Sequence, residues 1–184
     1  MAGQTIISSY SDGPTLTAAA TASCIPTYCV TTLPAGYWQV GRIWRITAAG
    51  RISIANPTPG TARWDLRMAA VTVFDTLAIT LNATALRTTI PWWLELIITC
   101  RSVGSGTSAT LFGQGYWLSD AALNVAVPST GPGPGGNTLP FNATPVVGTG
   151  FDSTIANAID FRWTQTVSTG SMTMHSFLVE QLTP

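Results

Sequence analysis

The sequence predicts an all-β protein, an antiparallel jelly-roll sandwich of about eight strands, with an immunoglobulin-like sandwich as the next choice. Three observations lead there. Segments rich in Val, Ile, Trp and Thr alternate apolar and polar residues, as half-buried strands do. Clusters of Gly, Pro, Asn and Ser separate them. No segment carries a convincing long helical period.

Taken in order, residues 1–35 are rich in Thr, Ser and Ala and include Pro14, Pro26 and Pro34. They are expected to form an extended N-terminal arm ahead of a domain over 36–184. Within the arm, "TLTAAATAS" is a short helix candidate weakened by its threonines. "VGRIWRITAAGRISI", Val40 to Ile54, reads as one long strand or two joined near "AAG". "NPTPG" then turns the chain. Thr61 to Phe74 reads as the next strand. Its apolar phase moves from Trp64, Leu66, Met68 and Ala70 to Val71 and Val73, which predicts a bulge or burial of both faces.

"PWWLELIITCR" begins a third strand, with Leu94, Leu96, Ile98 and Cys100 on one face and Trp93, Glu95, Ile97, Thr99 and Arg101 on the other. "SVGSGTS" makes a hairpin connection. Thr107 to Trp117 returns, with Gly113 and Gly115 marking a bend or close packing. The Gly/Pro-rich loop at 128–140 is expected outside any regular element. The last strands, about Ala158–Val167 and Ser171–Leu182, are expected as a hairpin joined by "STGS". The final one is apolar on both sides, with Met172, Met174 and Leu178 on one and Phe177 and Val179 on the other. Left at an edge, such a strand invites aggregation. This predicts one face on the core and the other on a neighbouring subunit, with Met172, Met174, Phe177 and Leu178 as the interface candidates.

The chain has 184 residues, enough for one domain with a sizeable core. Charged residues are 9% of it, against about 25% in ordinary domains. All eight basic residues are arginines, and eight acids balance them. Zero net charge argues against a general nucleic-acid binder, which needs a basic field to displace counterions. It also leaves little repulsion between copies, so much surface is expected to be covered in an assembly. No apolar run is long enough for a membrane span, and the N-terminus lacks the pattern of a signal peptide. The "NAT" triplets at Asn82 and Asn142 are therefore read as chance matches to the glycosylation signal. Cys24 and Cys29, in "CIPTYC", are either free or a small disulfide loop, and Cys100 reads as a small buried hydrophobe. No metal or cofactor motif is legible: there is one histidine, and "GPGPGG" lacks the lysine and helix of a phosphate loop.

No residues form a catalytic set, and a non-enzymatic role is expected. Asp65 with Glu95 is formally a carboxylate pair for glycoside hydrolysis, but acids offsetting nearby arginines explain both better. In "RWDLR", Arg63, Asp65 and Arg67 share a face and allow a charge ladder. His175 has no nucleophile presented to it and reads as a packed or interface residue. Arg42, Arg45 and Arg51 are not expected to form one even basic ladder. They read as a solvated face or as partner contacts, where the guanidinium grips carboxylates and stacks on aromatics. "GYW" occurs at Gly36–Trp38 and Gly115–Trp117, and Tyr37, Trp38, Tyr116 and Trp117 are candidate partner contacts or sugar platforms.

"VGRIWRITAAGRIS", "PWWLELIITCRSVGSGTSATLFGQG" and "VVGTGFDSTIANAIDFRWTQTVSTGSMTMHSFLVEQL" together resemble structural proteins of tailed bacteriophages of high-GC actinobacteria. The resemblance implies a jelly-roll module of the trimeric, tumour-necrosis-factor-like kind on the virion surface, assembled in the host cytoplasm. It implies a homotrimer that contacts the major capsid protein and stabilises the head as a decoration or cement protein. The alternative it leaves open is a minor tail or fibre module that binds host surface glycans.

Overall fold

The computed structural model describes residues 3–55, 57–84, 86–122, 136–141 and 143–183. The chain folds as a β-sandwich of two antiparallel sheets. Among the described residues there are twelve strands: β1 Gln4–Ser8, β2 Thr21–Ser23, β3 Thr32–Leu33, β4 Ile43–Ile54, β5 Thr61–Met68, β6 Val71–Asp75, β7 Ile79–Thr80, β8 Arg87–Ser102, β9 Thr110–Ser119, β10 Gly136–Leu139, β11 Asn157–Gln165 and β12 Ser171–Gln181. The larger sheet runs β1-β12-β4-β8-β9-β10. The smaller runs β2-β11-β5-β6, with β3 also on β11 and β7 on β5. The count exceeds the expected eight because short strands line the edges.

Alternation set the long strands. In β4, Trp44, Ile46, Ala48, Ile52 and Ile54 are buried, and Arg45 and Arg51 share the outward face at an even spacing. β4 is one unbroken strand. Gly50 lies where a Cβ would meet the Thr173 carbonyl oxygen at 2.0 Å, so the glycine admits the neighbouring strand rather than breaking this one. β8 buries Leu94, Leu96, Ile98 and Cys100, as its pattern predicts. Gly113 and Gly115 serve close packing: a Cβ there would strike the Phe74 ring at 2.3 Å and the Glu95 carbonyl oxygen at 2.0 Å.

Four expectations fail. The Thr61–Phe74 segment is two strands. Met68 pairs with Val71 across a two-residue turn, with Ala69 at φ 52°, so the phase change marks a reversal of direction. The last two strands are not a hairpin. β11 joins the smaller sheet and β12 the larger, and residues 166–170 cross between them. The "TLTAAATAS" segment is not helical; Leu16 bridges Met172, and β2 pairs with β11. Finally, Gly136–Leu139 is strand β10, paired with β9; residues 128–135 of the Gly/Pro-rich loop, and Asn142, lie outside the described residues.

Residues 3–33 are part of the fold rather than an arm beside it. β1 pairs with β12, and Ile7, Cys24, Ile25, Cys29 and Leu33 are buried in the core. The core centres on Trp64, whose ring lies 4.7 Å from Trp92 and 4.6 Å from Trp163, and it joins the sheets where Phe161 stacks on Phe177 at 5.6 Å. Each such side chain contributes roughly 1.5–3 kcal/mol by leaving water.

Candidate functional site

The doubly apolar reading of β12 has a structural answer. A bulge lies between Met174 and Ser176, in the pairing with β4. It inserts one residue and moves the phase by one. Met172 and Met174 before it, and Phe177 and Val179 after it, therefore all point inward and are at most 1% exposed. Leu178 is the half-buried residue of the outward side. Met172, Met174 and Phe177 are thus core residues of one chain, and the phase-based case for a subunit interface on them falls away.

The aromatic candidates divide in the same way. Trp38 and Trp117 are 3% and 0% exposed, so neither is a platform. Trp38 packs on Trp44 at 4.5 Å, and Trp117 on Trp163 at 6.0 Å. The Tyr37 hydroxyl donates to Gln181 Oε1 at 2.6 Å and accepts the Trp44 indole N–H at 2.8 Å; burial raises its pKa. Tyr116 stands half-buried on the outward face, its hydroxyl 3.4 Å from Glu95 Oε2. The exposed tryptophan is Trp93, 44% accessible. Its parity in "PWWLELIITC" is the signal that finds it.

The three arginines have separate local partners. Arg42 stacks over the Tyr37 ring at 4.5 Å. Arg45 donates to Glu180 Oε2 from Nε at 3.0 Å and from Nη2 at 2.6 Å, and the hydrogen bonds to Glu180 raise its pKa further. Arg51 Nη1 donates to the Thr89 carbonyl at 2.9 Å.

Asp65 and Glu95 lie on different sheets, both outside the sandwich core, and do not flank a common cleft. Asp65 belongs to a charge lattice on the smaller sheet. It stands opposite Arg162, while Asp160 stands opposite Arg67. Within each strand Arg67 Nε reaches Asp65 Oδ1 at 2.6 Å and Arg162 Nε reaches Asp160 Oδ2 at 2.6 Å. Ser23 adds a hydrogen bond to Asp160, and Arg63 pairs with Asp75 on β6. The bond to Asp65 is the main cause that raises the Arg67 pKa.

All three cysteines are free and buried. Burial pushes the Cys24 thiol well up, with the Asp160 charge acting in the same direction, and burial also raises Cys29 and Cys100. No group of three His, Cys, Asp or Glu side chains that could hold a metal ion occurs among the described residues.

A concave feature among the described residues lies on the larger sheet, where Ala49, Trp93 and Leu118 stand side by side on β4, β8 and β9. Here a hollow of about 710 Å³ is walled by Trp93, Pro91 and Leu118, with Arg51, Asp120 and His175 also lining it. His175 stands at the β12 bulge, its Nδ1 2.9 Å from Asp12 Oδ1. Ser119 Oγ donates to the Pro91 carbonyl at 3.1 Å and fixes the turn that carries Asp120. The same sheet ends, at the opposite pole, in loops tied by Gly36, Gly104 and Ser153. These loops expose Val40, Val103 and Ile155. No family model, no curated protein and no solved structure matches the chain.

Proposed function

We propose that the chain is a non-enzymatic virion structural protein, a trimeric decoration protein of a tailed-phage head that acts by protein–protein contact. The observation that carries this reading is the outward surface at one pole of the larger sheet. Val40, Val103 and Ile155 are exposed there, in the loops tied by Gly36, Gly104 and Ser153. Burying such residues against a shell or a second subunit contributes about 25 cal/mol per Å² of apolar area, before the entropy cost of association.

The strand pairings support reading the sandwich as a jelly roll. Setting aside the β9–β10 hairpin and the short β3 and β7, eight strands remain. The first pairs with the last (β1·β12), the second with the seventh (β2·β11), the third with the sixth (β4·β8) and the fourth with the fifth (β5·β6). That is one long hairpin rolled across two sheets. The sequence resemblance to phage structural proteins supplies the virion.

The test is attachment. The wild-type chain should sediment as a trimer at micromolar concentration and bind emptied phage heads, and antibody against it should label the head. The double variant Val103→Asp/Ile155→Asp keeps its thermal midpoint and loses roughly tenfold or more in head binding, since each charge must be desolvated at the contact. A stable monomer, or head binding unchanged in that variant, rejects the proposal.

A further inference from the structure

We propose that the hollow beside Trp93 is a binding site for a neutral hexopyranose ring of a glycan. The inference does not depend on the virion reading, because it rests on the chemistry of the hollow alone. Trp93, Pro91 and Leu118 form an apolar wall, and Trp93 keeps 44% of its surface accessible. A pyranose presents an apolar C–H face of matching character to such a ring. The remaining polar lining is mixed in its hydrogen bonding. Arg51 only donates, Asp120 only accepts, and His175 does either according to its protonation.

That combination selects among ligands. A hydrocarbon tail would leave Arg51 and Asp120 facing apolar atoms without partners. An anion would meet Asp120, and a cation would meet Arg51. Sugar hydroxyls donate and accept on one carbon frame, so a single ring satisfies both charges while its apolar face covers Trp93. The volume of about 710 Å³ lies within the range of roughly 300–1,000 Å³ typical of small-molecule sites. The site is also held before any ligand arrives. Trp93 sits in the sixteen-residue strand β8 between β4 and β9, Arg51 is tethered to Thr89, and His175 to Asp12. Little ordering cost is left for binding.

The full chain should be titrated with four probes, the tetrasaccharides of glucose, galactose, mannose and N-acetylglucosamine. Intrinsic tryptophan fluorescence and saturation-transfer NMR are the readouts. At least one probe should bind saturably in the millimolar range, with transfer strongest at ring C–H protons. Trp93→Ala should weaken that probe roughly tenfold, Trp93→Phe should retain most of the affinity, and Asp120→Asn should weaken it severalfold. The thermal midpoint of Trp93→Ala should stay at the wild-type value, because the side chain is exposed. Absence of saturable binding by all four probes overturns the proposal, as does unchanged affinity in Trp93→Ala. Dissociation of the oligomer by Trp93→Ala, without sugar binding in the wild type, assigns the hollow to a second copy of the chain and also overturns it. Failure of head attachment with intact sugar binding rejects the virion reading alone.

Discussion

The two sheets turn different surfaces outward. The smaller sheet closes its outer face on itself. Asp65, Arg67, Asp160 and Arg162 alternate in sign across β5 and β11, so each charge has an opposite neighbour within the chain. The larger sheet does not. Beyond the Arg45–Glu180 pair it leaves Trp93 and Leu118 each 44% exposed and Ile97 half-buried. A surface whose charges are internally satisfied has little to gain from a partner, whereas an uncovered apolar one gains by being covered. The larger sheet is therefore the one with surface left for a partner, although the strands of both sheets carry charge.

The largest effect that tests this contrast comes from between the sheets. Met174→Asp places a charge at a site 1% exposed. It should unfold the chain, at a cost of more than about 4 kcal/mol, as read by urea denaturation. A folded but dissociated protein would return β12 to the subunit interface. Next is Asp65→Ala on the smaller sheet. Asp65 is 1% exposed, and its removal takes from Arg67 its hydrogen-bonded acid, while Arg162 keeps Asp160. A loss of about 3 kcal/mol in unfolding free energy is expected, and a loss indistinguishable from zero would show the lattice to be ornamental. The smallest is Arg45→Ala on the larger sheet. Arg45 is 42% exposed, and its pair with Glu180 is screened by water. The thermal midpoint should not move measurably. A clear drop would mean that the larger sheet also depends on its own charges, and the contrast would weaken.

Much of the fold was legible because alternation is a local property. β4 and β8 could be read face by face, since each is long and each buries a single parity. The charge ladder of Arg63, Asp65 and Arg67 was legible for the same reason, and the structure supplied its partners on β11 and β6. What stayed hidden depended on neighbours distant in sequence. A bulge at His175 adds no turn residue, so Met172, Met174 and Phe177 looked split between two faces. "STGS" suits a hairpin and a crossing between sheets equally well, and only the pairing of β11 with β5 selects the crossing. The early strands β1 to β3 are short and rich in Thr and Ser, too brief to show a period. Their place comes from the edges of β12 and β11. Of the candidate site, Arg51 was named from sequence; Trp93 was placed on the right face without being singled out.

By itself the sequence determined that the chain is all-β, which residues of β4 and β8 face inward, and that it carries no net charge. Side-chain parity and composition suffice for these. Tertiary structure alone decided that Trp38 and Trp117 close the core, that Trp93 stands in the open, and that Arg51, Asp120 and His175 gather around it. Those outcomes depend on which strands lie side by side, and strand neighbours are chosen by the packing of the whole sandwich rather than by any one segment.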